Sequence, residues 1–196
     1  MKLIGLAGKI GSGKSYVADI LQRRGWRVLD LDTVAQRALK VFKDEIVQAF
    51  GSDILVNGHI DRKRLAAKVF TGPRCLEKLE AITYRWIEDE TRRWIDLEPA
   101  VPAVIHAVNL HKTSLPKICD AIIWVKASRH IRKHRVIQRN HQSWERIKGR
   151  FDSQKRLRPK LFAPHAEIYS VRNSGNDASL NSSLNRIFRR LYGLEG

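Results

Sequence analysis

A chain of 196 residues can bury one α/β core with small appendages, but not two independent domains of ordinary size. Apolar residues make up 43%, no run of them is long enough to span a bilayer, and no signal-peptide cleavage pattern precedes the first strand, so the expectation is a soluble, cytoplasmic protein with no membrane role. The net charge of +17 invites a nucleic-acid reading, while the two cysteines, Cys75 and Cys119, lack metal-ligand spacing and read as small buried hydrophobes in a reducing compartment.

The first predicted strand is Leu3 to Ala7, a short apolar run. It leads straight into Gly8-Lys9-Ile10-Gly11-Ser12-Gly13-Lys14-Ser15, which matches G-x-x-x-x-G-K-[ST], the phosphate-binding loop of nucleoside-triphosphate enzymes. The context that the motif demands is present, because Tyr16 to Leu21 continues with helical spacing. Glycines let the backbone turn sharply enough for successive N–H groups to point at phosphate oxygens, and the following helix adds the positive end of its dipole. In this pattern Lys14 reaches the β- and γ-phosphates and the Ser15 hydroxyl holds Mg²⁺.

Gly25 ends the first helix, and Trp26 to Asp32 reads as a second strand closing in Asp-x-Asp at its carboxyl end, where open α/β sheets bind ligands. Strand alternation would put Asp30 and Asp32 on one side; a carboxylate beside Lys14 stays ionised and can accept a hydroxyl proton, with helix capping as the plainer role. Asp32 is the stronger candidate. Val41 to Phe50 is helical, Asn57-Gly58 marks a tight turn, and Asp61 caps a helix carrying Leu65, Val69 and Phe70 on one face. After Gly72-Pro73 a long amphipathic helix holds Leu76, Leu79, Ile82, Trp86, Ile87, Trp94 and Ile95 at helical spacing, aromatics that read as core or cleft wall.

Val101 to Val108 is the third sheet strand and Cys119 to Val125 the fourth, apolar enough to be buried on both faces. A basic helical segment follows from Ser128 to Gln154, where Arg132, Arg135 and Arg139 share a face at i, i+3 and i+7. Between Lys126 and Lys160 only Glu145 and Asp152 are acidic. Such a segment suits a lid over several phosphates, a solvated face or a nucleic-acid arm; Trp144 without further aromatic interleaving disfavours the last. A last strand near Ile168 to Val171 leads to Asn173-Ser174-Gly175 and an amphipathic helix with Leu180, Leu184, Ile187, Phe188 and Leu191. Strands alternating with helices predict an α/β fold, a doubly wound parallel sheet of about five strands of the P-loop NTPase type.

These residues together resemble the dephospho-CoA kinase family of P-loop small-molecule kinases. The resemblance rests on Ile4-Gly5-Leu6 leading into Gly11 to Ser15, and on Val28-Leu29-Asp30-Leu31-Asp32. Its most diagnostic block is Phe50-Gly51-Ser52-Asp53-Ile54-Leu55 with Gly58-His59-Ile60-Asp61-Arg62, which generic phosphate loops do not need. Weaker matches are Arg135, Gln138-Arg139, Arg150, Gln154 and Asn173-Ser174-Gly175.

The resemblance implies transfer of the γ-phosphoryl of ATP, with Mg²⁺, to the ribose 3′-hydroxyl of dephospho-CoA, a small-molecule substrate. By motif position it implies Asp32 as catalytic base and Lys14 and Arg139 as catalytic cations. Gly8, Lys9, Ile10, Gly11, Ser12, Gly13, Lys14, Ser15, Tyr16, Arg135, Arg139 and Asn173 would bind nucleotide, Asp32, Asp61, Arg62 and Arg150 the acceptor, and Ser15 the metal. It divides the chain into a nucleotide-binding core (1–32, 99–127, 166–196), a helical acceptor-binding region (33–98) and a lid (128–165), and implies a monomer. The chain departs from the family pattern in four places. Tyr84-Arg85 stands for a His-Pro pair and His106-Ala107-Val108-Asn109-Leu110 for P-L-L-[FY]-E; Lys9 replaces the loop's second glycine and Asn140 an Asp. A diverged kinase with another acceptor and a nucleic-acid-associated P-loop protein are the alternatives.

Overall fold

Residues 2–193 are described by a computed structural model. The described residues form two compact units, one from 2–29 and 99–193, the other from 30–98.

The first unit is built on a five-stranded sheet in the order β2-β5-β1-β6-β7. Its strands are β1 (Leu3–Ala7), β2 (Arg27–Asp30), β5 (Ala103–His106), β6 (Ala121–Lys126) and β7 (Glu167–Arg172). β1 runs parallel to β5 and β6, and β6 to β7. The central strands β1 and β5 are buried along their whole length, as their continuous apolar sequences require of a sheet covered on both faces. One face carries Ile4, Leu6, Val104, Ile123 and Val171 against α1 (Lys14–Arg23) and α8 (Asp177–Tyr192), which contribute Val17, Leu21, Leu184 and Phe188. Trp26 stacks on Phe188 with ring centres 5.1 Å apart and seals the lower edge of this core. Toward the other face Phe162 is fully buried, its ring lying against Trp124 and His111. The expected parallel α/β sheet of about five strands is therefore observed.

The basic segment is not one helix. It forms α6 (Arg129–Asn140) and α7 (Trp144–Ser153), separated where His141 adopts a left-handed φ of 49°. The two helices share a small core of Val136, Ile147 and Phe151.

The second unit contains α2 (Leu31–Val41), α3 (Lys43–Phe50), a hairpin of β3 (Leu55–Val56) and β4 (His59–Ile60), α4 (Arg62–Val69) and α5 (Pro73–Asp96). Asn57 and Gly58 take φ of 50° and 76°, so the tight turn read from Asn-Gly is the hairpin's turn. Ile46, Phe50, Ile54, Leu65 and Val69 form the core of this unit. Trp86 of α5 meets Phe42 edge-on at 6.3 Å, a packing role in keeping with the sequence pattern.

Three sequence-based assignments need correction. β2 stops at Asp30, and Asp32 lies in the first turn of α2 rather than on a strand. The Asp30 carboxylate accepts the Asp32 amide at 2.9 Å, which starts the helix and removes the strand alternation on which the shared side depended. The basic segment is two helices, as above. Finally, Cys119 is buried, its thiol pushed up to about 12 by desolvation and secondarily by Asp120, whereas Cys75 is only half-buried.

Candidate active site

β1 delivers the backbone to the carboxyl edge of the sheet, where the phosphate loop begins. Gly11 and Gly13 turn with φ of 75° and 90°. A Cβ on Gly11 would meet the Arg132 carbonyl oxygen at 2.6 Å, and one on Gly13 would fall on the Asn173 side-chain amide. Any larger residue would push the loop away from α6 and from the end of β7. α1 begins at Lys14, so its first-turn amides lack intrahelical acceptors and leave an anion-binding helix terminus at the loop. The Lys14 ammonium curls back to donate to the Gly8 carbonyl at 3.0 Å, the arched pose from which it overhangs the loop.

A cavity of about 180 Å³ opens there, lined by Gly11, Gly13, Lys14, Ser15, Arg135 and Arg139. Its charge is wholly positive among the described lining residues, which suits a di- or triphosphate. Arg135 is fixed in place: its guanidinium donates to the Asn173 carbonyl and to the Asn173 side-chain oxygen, both at 3.2 Å. Asn173 is in turn buried, its amide donating to the Lys126 carbonyl at 2.7 Å. Arg139 lies one turn further along α6, exposed, on the wall of the same cavity. Of the i, i+3, i+7 set, Arg135 and Arg139 share this wall, whereas Arg132 does not line it and donates to the Ile10 carbonyl.

Ile10 shows how closely the loop and the basic helices are tied. Its amide donates to the Gln154 side chain at 2.6 Å, its carbonyl accepts from Arg132 at 3.3 Å, and its side chain packs on the Val136–Ile147–Phe151 core. Lys9 adds a bond to the Lys155 carbonyl at 3.2 Å. Gln154 and Arg132 were not among the site residues taken from the sequence. Arg132 was visible only through its helical register, and nothing local marks a glutamine 144 residues away as the partner of a loop amide.

The remaining residues are more scattered. Ser15 is exposed on the first turn of α1, whereas Tyr16 is not part of the cavity wall: its hydroxyl donates to Asp177 at 2.7 Å, and that bond raises its pKa. Arg150 is exposed on α7 and does not line the cavity. His106 sits buried at the carboxyl end of β5, in register with Leu6, at the position where the family has its carboxylate-bearing stretch.

In the second unit Asp32 is exposed on α2. Asp61 spends its carboxylate on α4, accepting the amides of Lys63 at 2.9 Å and Arg64 at 2.8 Å, and these bonds hold its pKa below the usual carboxylate value. Arg62 lines a separate cavity of about 760 Å³ together with Gln36, Lys40, Lys43, His59 and Ile60. Tyr84, in place of the family's His-Pro, donates to Glu80 at 2.9 Å. Burial first, then Glu80, then the charge of Asp32 push its phenol well above the ordinary value, so Tyr84 lies within the electrostatic reach of Asp32.

A loop of this form at the end of a central parallel strand, walled by Arg135 and Arg139 of α6, defines a P-loop kinase: an enzyme that takes a phosphoryl group from ATP. The sequence pattern of the dephospho-CoA kinase family matches residues 2–176, and the chain belongs to that family. It is 33% identical over 191 residues to a dephospho-CoA kinase of Wolinella succinogenes, covering 96% of this chain and 94% of the relative. A crystal structure from Thermus thermophilus superposes with a TM-score of 0.83 at 29% identity over 98% of both chains. The dephospho-CoA kinase of Campylobacter jejuni shares the fold, with a TM-score of 0.67 at 21% identity, over 98% of this chain and 99% of the other.

Proposed function

We propose that the chain transfers the γ-phosphoryl group of ATP to the ribose 3′-hydroxyl of dephospho-CoA, giving coenzyme A and ADP. The observation that carries this is the cationic cavity over the phosphate loop, in a chain whose family membership supplies the acceptor.

In this reading the loop amides, Lys14 and the α1 terminus hold the β- and γ-phosphates, and Arg135 with Asn173 marks the adenine side. Asp32 takes the proton of the 3′-hydroxyl as its oxygen bonds to the γ-phosphorus and the bond to the ADP oxygen breaks. Arg139 neutralises the transferring oxygens. Phosphoryl transfer needs little covalent help from the protein, so positioning and charge account for most of the acceleration. The α6–α7 lid also keeps water from competing with the acceptor hydroxyl.

Magnesium is the typical companion of ATP here. No group of three or more His, Cys, Asp or Glu that could cage a metal occurs among the described residues, so the donor set fits an ion carried on the nucleotide's own phosphates, with the Ser15 hydroxyl as the protein ligand. When bound, it neutralises phosphate charge.

The acceptor's pyrophosphate and its long amide arm are assigned to the 760 Å³ cavity of the second unit. Lys40, Lys43, His59 and Arg62 supply its positive charge, Ile60 its apolar wall, and Asp61 holds the start of α4 that carries Arg62. Asp32 and Lys40 stand eight residues apart on α2, two turns along the same helix side, which suits an acceptor lying along it. Arg150 is the lid's contribution to the acceptor. A monomeric, cytoplasmic enzyme completes the proposal; among the described residues no helix is long and apolar enough to cross a membrane.

The test is product identity. Incubation with ATP and dephospho-CoA yields a product carrying one added phosphate on the ribose 3′-oxygen by mass and phosphorus NMR, and Lys14→Ala abolishes it. ATP binding without phosphorylation of dephospho-CoA would refute the acceptor assignment.

A further inference from the structure

Lys9 stands where the family has glycine, and the reaction above gives its ammonium no task. It lines a chamber of about 220 Å³ with Ser12, Trp124, Lys126 and Arg132, set against the end of β6. This chamber shares no lining residue with the nucleotide cavity.

Two features of the chamber point to a ligand. Ser12 is 1% exposed and its hydroxyl has no hydrogen-bond partner among the described residues, although a buried hydroxyl without a partner is costly. Lys9, Lys126 and Arg132 line the same chamber, and no carboxylate is among the described lining residues. The Lys9 pKa is lowered by burial and then by Arg132 and Arg158, so these cations repel one another in the protein as it stands. The bonds Lys9 and Arg132 make to the Lys155 and Ile10 carbonyls leave further donors on both groups, since an ammonium carries three and a guanidinium five. A small oxyanion would satisfy the orphan hydroxyl and relieve the repulsion at once. The volume admits a phosphate group with accompanying water.

We propose that this chamber is a second oxyanion site, for a phosphate-sized tetrahedral anion, walled by Lys9, Ser12, Lys126 and Arg132 behind the phosphate loop. An anion held there grips Lys9 and, through Arg132, the carbonyl of Ile10, so it stiffens the loop.

The experiment is calorimetric titration of inorganic phosphate into the full chain already saturated with a non-hydrolysable ATP analogue, at constant ionic strength. The analogue fills both the phosphate loop and the γ-position, and its own titration reports separately whether the nucleotide site is sound. The expected result is saturable binding of one phosphate per chain, weakened at least about tenfold in Lys9→Met and in Lys126→Met. Ser12→Ala weakens it by a smaller factor. Phosphate binding that vanishes once the analogue is bound would overturn the proposal, since the anion would then be reading only the phosphate loop. Equal affinity in wild type, Lys9→Met and Lys126→Met would overturn it as well.

Discussion

The phosphate loop with its basic helices and the helical unit of residues 30–98 are organised by different kinds of interaction. The loop is held by polar bonds to residues far along the chain: Ile10 to Gln154 and Arg132, and Arg135 to Asn173. The helical unit is held chiefly by an apolar core in which Ile46, Phe50 and Leu65 fill the centre, with Asp30 and Asp61 capping α2 and α4 and polar bonds of shorter sequence span, such as Lys68 to the Phe50 carbonyl. A site that must hold one multiply charged group in a fixed pose needs directional contacts from several elements, whereas an extended acceptor needs a broad wall with a few cations. The departures from the family pattern follow this division unevenly. Tyr84-Arg85 falls in the helical unit; Lys9 falls in the loop, yet the turn at Gly11 and Gly13 keeps its geometry.

Substitutions can sharpen this contrast. Arg139→Ala should lower kcat by roughly 100- to 1,000-fold while weakening ATP binding far less, because its charge is needed as negative charge builds on the transferring oxygens. Steady-state kinetics beside nucleotide titration checks this, and equal losses in both would deny a transition-state role. Gln154→Leu removes the acceptor for the Ile10 amide. Leaving a part-buried donor unpaired costs about 1–3 kcal/mol, so ATP affinity should fall about tenfold, while Gln154→Glu, which keeps an acceptor, stays near wild type. Identical behaviour of the two variants would show that the loop does not depend on that bond.

The helical unit should respond to pH instead. The Asp61 pKa is depressed by the backbone bonds it accepts from Arg64 and Lys63, so its contribution is present above the ordinary carboxylate pKa and is lost as pH falls through the lower folded value. Thermal unfolding followed from pH 6 downward should therefore show a steeper acid loss in wild type than in Asp61→Asn, since asparagine caps without titrating. Parallel curves would remove the cap from the account. This is the smallest of the expected effects.

Much of the fold was legible because its signals are local. The glycine spacing of the loop, the Asn57-Gly58 turn, the Asp61 cap and the buried runs of β1 and β6 each depend on neighbours within a few residues. The strand was carried two residues too far, to Asp32, because an aspartate ending a strand and an aspartate beginning a helix look alike; the bond from the Asp32 amide to the Asp30 carboxylate decides for the cap. The basic segment read as continuous because periodicity carries across His141, whose left-handed backbone no composition rule demands. In the site, the loop and the placing of Arg135 and Arg139 on one wall could be read from spacing. Gln154 at the Ile10 amide, the link from Arg135 to Asn173 and the unpartnered Ser12 hydroxyl could not, because each arises only when distant segments are brought together.

The central claim is that Asp32 takes the acceptor's proton while the loop holds ATP, and Asp32→Asn tests it most directly. Single-turnover transfer from ATP to dephospho-CoA should fall by roughly 100- to 10,000-fold, the usual range for a lost general base, with ATP affinity changed by less than about threefold. Transfer at the wild-type rate by Asp32→Asn would contradict the account.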